Sequence, residues 1–187
     1  KAISNKKDKI KLYICPYDTG HHTINQSEGI TSYATAAVYE PDKITYAEIE
    51  TVTLDEFLSS QGVDKVDLIK MDVEGAELLA LQGMEKTVKS NDNLKMIIEF
   101  FPLLLEKMGS LPKDFLNKLM DGYQFMLYEI SDDYNAEHTT GGIFLRKINN
   151  YEDLLHNYSQ DAMYHSNLFA IKSMNKNLQQ ILSNRSS

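Results

Sequence analysis

Asp72, Glu74 and Glu99 stand where apolar runs end. Val66-Asp67-Leu68-Ile69-Lys70-Met71 is β-prone and stops at Asp72-Val73-Glu74-Gly75, and Leu94-Lys95-Met96-Ile97-Ile98-Glu99-Phe100-Phe101 carries its one acid near its carboxyl end, before Pro102. In an open α/β sheet the ligand sits beyond the carboxyl ends of the strands, so acids at these positions point to the place where chemistry is done. His21 and His22 follow the turn residues Tyr17-Asp18-Thr19-Gly20 and offer metal ligation, proton transfer or a solvated loop. The loop reading comes first, because adjacent histidines in a strand point to opposite faces and seldom share one ion. His21, His22, Asp72 and Glu99 could together lower the pKa of a hydroxyl through a metal, but no spacing demands it and no metal is expected.

The elements that must position these acids are a strand, a tight turn and a helix. Gly75 lets the backbone turn sharply. Leu78, Leu81, Met84 and Val88 then recur at helical spacing, predicting a helix from about Ala76 to Asn91. Gly83 within it costs about 1 kcal/mol relative to alanine, which close packing would explain. If this helix is a crossover, the two apolar runs are parallel neighbours and Asp72, Glu74 and Glu99 gather at one edge. Upstream, Ile10, Leu12 and Ile14 alternate as a half-buried strand that Pro16 ends. Ile49 to Thr53 reads as another, and Thr53-Leu54-Asp55-Glu56 fits a capping box opening a short helix. Phe57 and Leu58 should face the core, and Gly62 should close that helix. Downstream, Pro112 to Gly122 predicts a helix and Tyr123 to Ile130 a strand, with a loop over Asp132 to Gly142. A short helix over Tyr151 to Tyr158 and a strand over Asn167 to Ile171 follow, and Met174, Leu178, Ile181 and Leu182 mark a terminal amphipathic helix.

A chain of 187 residues with 42% hydrophobic content can bury one sizeable core, so one domain is expected. The net charge of -8, with 19 dispersed basic residues, works against a nucleic-acid surface, which needs clustered Lys and Arg. The lone Cys15 excludes an intramolecular disulfide and a thiolate zinc cluster, and fits a reducing, cytoplasmic compartment. No apolar run is long enough to span a bilayer, and neither a signal peptide nor a membrane partner is expected.

Taken together, Val52-Thr53-Leu54-Asp55, Asp67 through Glu77, Leu81-Gln82-Gly83-Met84, and Ile97-Ile98-Glu99-Phe100 with Pro102 resemble the FkbM family of S-adenosylmethionine-dependent methyltransferases. The likeness extends to Gly20-His21-His22 and to Asn167 to Lys172. It implies a Rossmann-like methyltransferase sheet, α/β and mostly parallel, with an antiparallel carboxyl-terminal edge. The Leu68 run would be its fourth strand and the Met96 run its fifth. The glycine-rich cofactor turn and the ribose-binding acid of the family's first two strands have no counterpart here, so the expectation is a single partial domain lacking the first strands. Its parts would be 1–53 (hairpin and loop), 54–172 (strand-helix repeats) and 173–187 (terminal helix and tail). The Leu68 strand would then be an exposed apolar edge. The rest of a longer product, a second copy pairing edge to edge, or the amino-terminal hairpin could cover it.

The resemblance also implies the reaction: a substrate oxygen attacks the sulfonium methyl, so the site must align two reactants and help a hydroxyl lose its proton. Asp72 is the first choice as general base, hydrogen-bond acceptor or metal ligand near the methyl group, with Glu74 and Glu99 behind it. Asp72, Val73 and Gly75 are the expected cofactor contacts within this chain, and the acceptor would be a hydroxyl of a saccharide or other small natural product. Glu74 and Glu77 could instead merely complement the positive end of the following helix. Lys70 is expected to pair with a carboxylate or cover apolar surface, and Phe100 and Phe101 to be core and pocket wall. The competing class is a non-catalytic interaction module that uses the open sheet edge for assembly.

Overall fold

The computed structural model describes residues 1–14, 22, 24, 45–130 and 145–172. The loop expected at Tyr17 to His22 (but for His22), the Asp132 to Gly142 loop and the terminal helix after Lys172 lie outside the described residues.

Alternating sequence builds a small amino-terminal sheet. Strands β1 (Ala2–Ile3), β2 (Lys9–Ile14) and β3 (Thr45–Val52) lie in the order β1-β3-β2. β2 and β3 are antiparallel, with Lys9 opposite Glu50 and Lys11 opposite Glu48, so opposite charges meet on the solvent side. β1 runs parallel to β3.

The acids sit on a second, five-stranded sheet. It comprises β4 (Leu68–Met71), β5 (Lys95–Phe100), β6 (Phe125–Ile130), β7 (Leu145–Ile148) and β8 (Ser166–Lys172), in the order β4-β5-β8-β6-β7. β4 and β5 are parallel neighbours, as the spacing predicts. The sheet as a whole is mixed rather than mostly parallel: β8 pairs antiparallel with both β5 and β6, and β7 antiparallel with β6. The expected antiparallel carboxyl-terminal edge is present: the β6–β7 hairpin forms it, with the last strand, β8, interior between β5 and β6. Composition explains the placement: Leu168, Ala170 and Ile171 bury both faces of β8, and such strands belong inside a sheet. At the other edge Leu68 is 55% exposed, and among the described residues β4 pairs only with β5. Among the described residues the amino-terminal strands pair with one another rather than with β4.

One face of this sheet carries the core. Met96, Ile98 and Phe100 on β5, with Leu127 and Leu168 beside them, pack against Leu81, Leu105, Phe115 and Leu154 of the helices. Those helices are α1 (Leu54–Ser60), α2 (Glu77–Gln82), α3 (Glu85–Ser90), α4 (Pro102–Lys107), α5 (Pro112–Asn117) and α6 (Glu152–Gln160), with a π-helical turn at Lys118–Gly122 after α5. None of the described helices is long and apolar enough to cross a membrane.

Thr53 caps α1, its hydroxyl accepting the Glu56 N–H at 3.1 Å. At the far end Gly62 has φ +67°, and Val63 N donates to Leu58 O while Gly62 N donates to Ser59 O. This is the paired Schellman closure a glycine permits. Phe57 does not face the core; it is 43% exposed, and Leu54 packs inward in its place. The helix predicted over Ala76 to Asn91 is two helices, broken after Gly83. A Cβ on Gly83 would stand 2.0 Å from the Ser4 carbonyl oxygen, so the amino-terminal segment crosses in direct contact there. The second piece has its own cap: Asp55 accepts from Lys86 N and Thr87 N, both at 2.8 Å. Pro102, expected only to stop a strand, also opens α4 at a position where its missing N–H costs nothing.

Candidate functional site

The parallel register puts Met71 beside Ile98, so Asp72 leaves β4 at the level where Glu99 approaches the end of β5. The turn after Asp72 brings Glu74 back to the same place. One oxygen each from Asp72, Glu74 and Glu99 lie within 4.8 Å of one another, the gathering the sequence predicts. His22 does not join them, and His21 lies outside the described residues.

Backbone conformation makes this turn unusual. Glu74 adopts φ +52° and Gly75 φ +94°. The left-handed region costs a non-glycine residue about 1 kcal/mol, so surrounding contacts must hold it. Gly75 supplies one of them: a Cβ there would lie 2.5 Å from the Leu104 carbonyl oxygen of α4, so the turn is pressed onto that helix. Glu77 supplies another. It is only 2% exposed, and its Oε1 accepts from Val73 N at 3.1 Å and Gly75 N at 3.3 Å. Gly75 is therefore buried against α4 with its amide turned inward, whereas Val73 is at the surface.

Like charges set the electrostatics. Burial, then the neighbouring Asp72 carboxylate, pushes Glu99 above its ordinary value, and the two acids share a hydrogen bond. A hydrogen bond between carboxyl groups requires a proton on one of them. His165 and Lys70 act on Glu99 in the opposite direction. Lys70 Nζ lies 2.5 Å from Asp72 Oδ2 in an exposed pair, the pairing expected of it. Burial also dominates Glu77, which is pushed up to about 7 despite the main-chain amides it accepts from.

His165 was not singled out by the sequence. Its ring lies 5.5 Å from that of Phe101, and its Nδ1 is 3.2 Å from Met163 O. A carbonyl only accepts, so Nδ1 carries the proton there. Phe101 is a buried wall, and Phe100 faces the core, stacked on Phe115 at 6.2 Å between centroids.

Glu129 was also missed, although its signal was present: an acid near the carboxyl end of an apolar strand, as at Glu99. It accepts from Tyr164 Oη and Ser166 Oγ, each at 2.8 Å, from Arg146 Nε at 2.9 Å, and from a second Arg146 nitrogen. Burial raises this carboxyl, but the donors outweigh it and hold Glu129 below the usual carboxylate range.

The fold is α/β, and its acids converge at the carboxyl end of a parallel strand pair, where open α/β sheets in general place their ligands. The particular family follows from comparison: the methyltransferase FkbM domain matches residues 2–130, more than half of the chain. The chain belongs to the FkbM methyltransferase family. Comparison with curated proteins and with solved structures gives no match. The family match contains Asp72, Glu74, Glu77 and Glu99 and ends before β8, so the likeness noted at Asn167 to Lys172 lies outside it.

Proposed function

We propose that this protein transfers a methyl group from S-adenosylmethionine to a hydroxyl oxygen of a saccharide or other small natural product, at the carboxyl end of β4 and β5. The observation that carries the reading is the convergence of Asp72, Glu74 and Glu99 at that edge in a member of a methyltransferase family. The donor set fits such a cofactor: a crowded group of carboxylates gains from a nearby cation, and a sulfonium is one. Bound there, S-adenosylmethionine supplies an electrophilic methyl group.

The chain's own residues have separable tasks. Asp72 accepts the hydrogen bond of the incoming hydroxyl and takes its proton as the oxygen becomes nucleophilic, and Lys70 pairs with it from the side. Glu99, which holds a proton more readily, donates to Asp72 and steers it. Glu74 completes the negative surface that draws in the cation. Asp72 and the surface-exposed Val73 contact the cofactor, while Gly75 contributes the shape of the turn.

Titration calorimetry of S-adenosylmethionine, which carries the sulfonium, into the protein tests this reading. Saturable binding that weakens at least about tenfold in Asp72→Asn supports it. Binding that is indifferent to that substitution moves the site elsewhere.

A further inference from the structure

We propose that Glu77 is a positioning residue, a buried internal anion that fills a nest of main-chain amides and so holds Asp72 and Glu74 against Glu99. The inference rests on the reading of this edge as the transfer site, but the holding role can be tested without it.

The geometry argues as follows. Glu77 is the first residue of a helix, where an acid ordinarily points outward and complements the helix end. Here the side chain turns back under the preceding loop and is buried. Its carboxylate accepts from the amides of Val73, Gly75 and its own residue, which closes the turn from below. Successive amides aimed at one point form the concavity that binds phosphates and other anions in many proteins, and in this chain the anion is built in. The turn needs such a partner. Glu74 and Gly75 both have positive φ, and without Glu77 the inward-turned amides of Val73 and Gly75 would lose their acceptor. α4 closes the other side through Leu104 and Met108, which provide no charge.

The same contacts make the latch sensitive to pH. Glu99 on β5 is the charged group facing Glu77 from the neighbouring strand, and its repulsion adds to the cost of burial. Asp72 and Glu74 belong to the loop itself, and His165 and Lys70 act on Glu99. With Glu77 at about 7, its ionised form tightens the nest above neutrality and its protonated form loosens it below.

Amide exchange and chemical shifts followed by NMR on the free protein, from about pH 5 to about pH 9, give the test. The Val73 and Gly75 amides should titrate together near neutrality. Glu77→Gln keeps an acceptor oxygen of the same shape, so both amides should remain protected while their titration disappears. Glu77→Leu should speed exchange at both by at least about tenfold and leave Met96 and Ile98 of β5 unchanged. Calorimetry with S-adenosylhomocysteine should then show about tenfold weaker binding in Glu77→Leu, restored in Glu77→Gln. Titration of the two amides persisting in Glu77→Gln, or unchanged exchange in Glu77→Leu, overturns the proposal. If Glu77→Leu fails to fold, the Glu77→Gln titration decides alone. Amides that behave as expected in a protein that binds no S-adenosylhomocysteine leave the latch standing on its own, without support for transfer by this chain.

Discussion

Two acidic positions at the same edge of one sheet have opposite surroundings. Glu129, near the end of β6, is ringed by Arg146, Tyr164 and Ser166, and its charge is fully answered. Glu99, near the end of β5, meets Asp72 and Glu74, and its charge is opposed. A saturated acid ties β6, β7 and β8 together and has no capacity left for a ligand. An acid crowded by its own kind raises the energy of the empty site, and a cation or a proton relieves it. The first arrangement serves folding, and the second is the one we propose for chemistry.

Substitutions can break this contrast in order of expected loss of stability. Gly75→Ala should be the most damaging, because a Cβ would meet the Leu104 carbonyl in a left-handed backbone; thermal or urea unfolding should show a loss of at least about 3 kcal/mol. Glu129→Ala should cost about 2 to 3 kcal/mol by the same measurement, since it orphans two hydroxyls and a guanidinium. Because Glu129 lies below its ordinary value when folded, its contribution is present above the unfolded pKa and lost as pH falls through the folded one. Glu99 has the reverse sign. Its folded value is raised, so its contribution is complete below the unfolded pKa and lost as pH rises through the folded one. Unfolding measured across pH should therefore show Glu99→Gln flattening that decline, by no more than about 1 kcal/mol after solvent screening. Lys70→Met should change stability least, under about 1 kcal/mol, because its pair with Asp72 is exposed.

Local chemistry was legible in the sequence where one residue has one job. Thr53 caps, Gly62 closes a helix, and the two apolar runs pair in parallel because a crossover between them leaves little choice. What escaped depends on partners distant in the chain. The position of β8 inside the sheet is set by burial on both faces, which period and length alone do not reveal. The break at Gly83 coincides with the close approach of Ser4, which lies before β2 in the chain, and with the capping reach of Asp55. At the site, Asp72, Glu74 and Glu99 could be grouped from strand ends, but their separation from Glu129 could not. That difference lies in donors at positions 146, 164 and 166, which carry no spacing relative to residue 129. Glu77 looked like an ordinary helix-start acid, and only the fold shows it turned inward.

The claim that the crowded edge, and not the saturated one, performs the transfer can be tested in one assay. Labelled methyl groups from S-adenosylmethionine would be offered with a panel of saccharide and small-molecule hydroxyl acceptors to the wild type, Asp72→Asn and Glu129→Gln. The expected result is a rate lowered by about a hundredfold or more in Asp72→Asn, with its fold intact, and a rate close to wild type in Glu129→Gln despite its lower stability. Full transfer by Asp72→Asn, or loss confined to Glu129→Gln, would contradict the account.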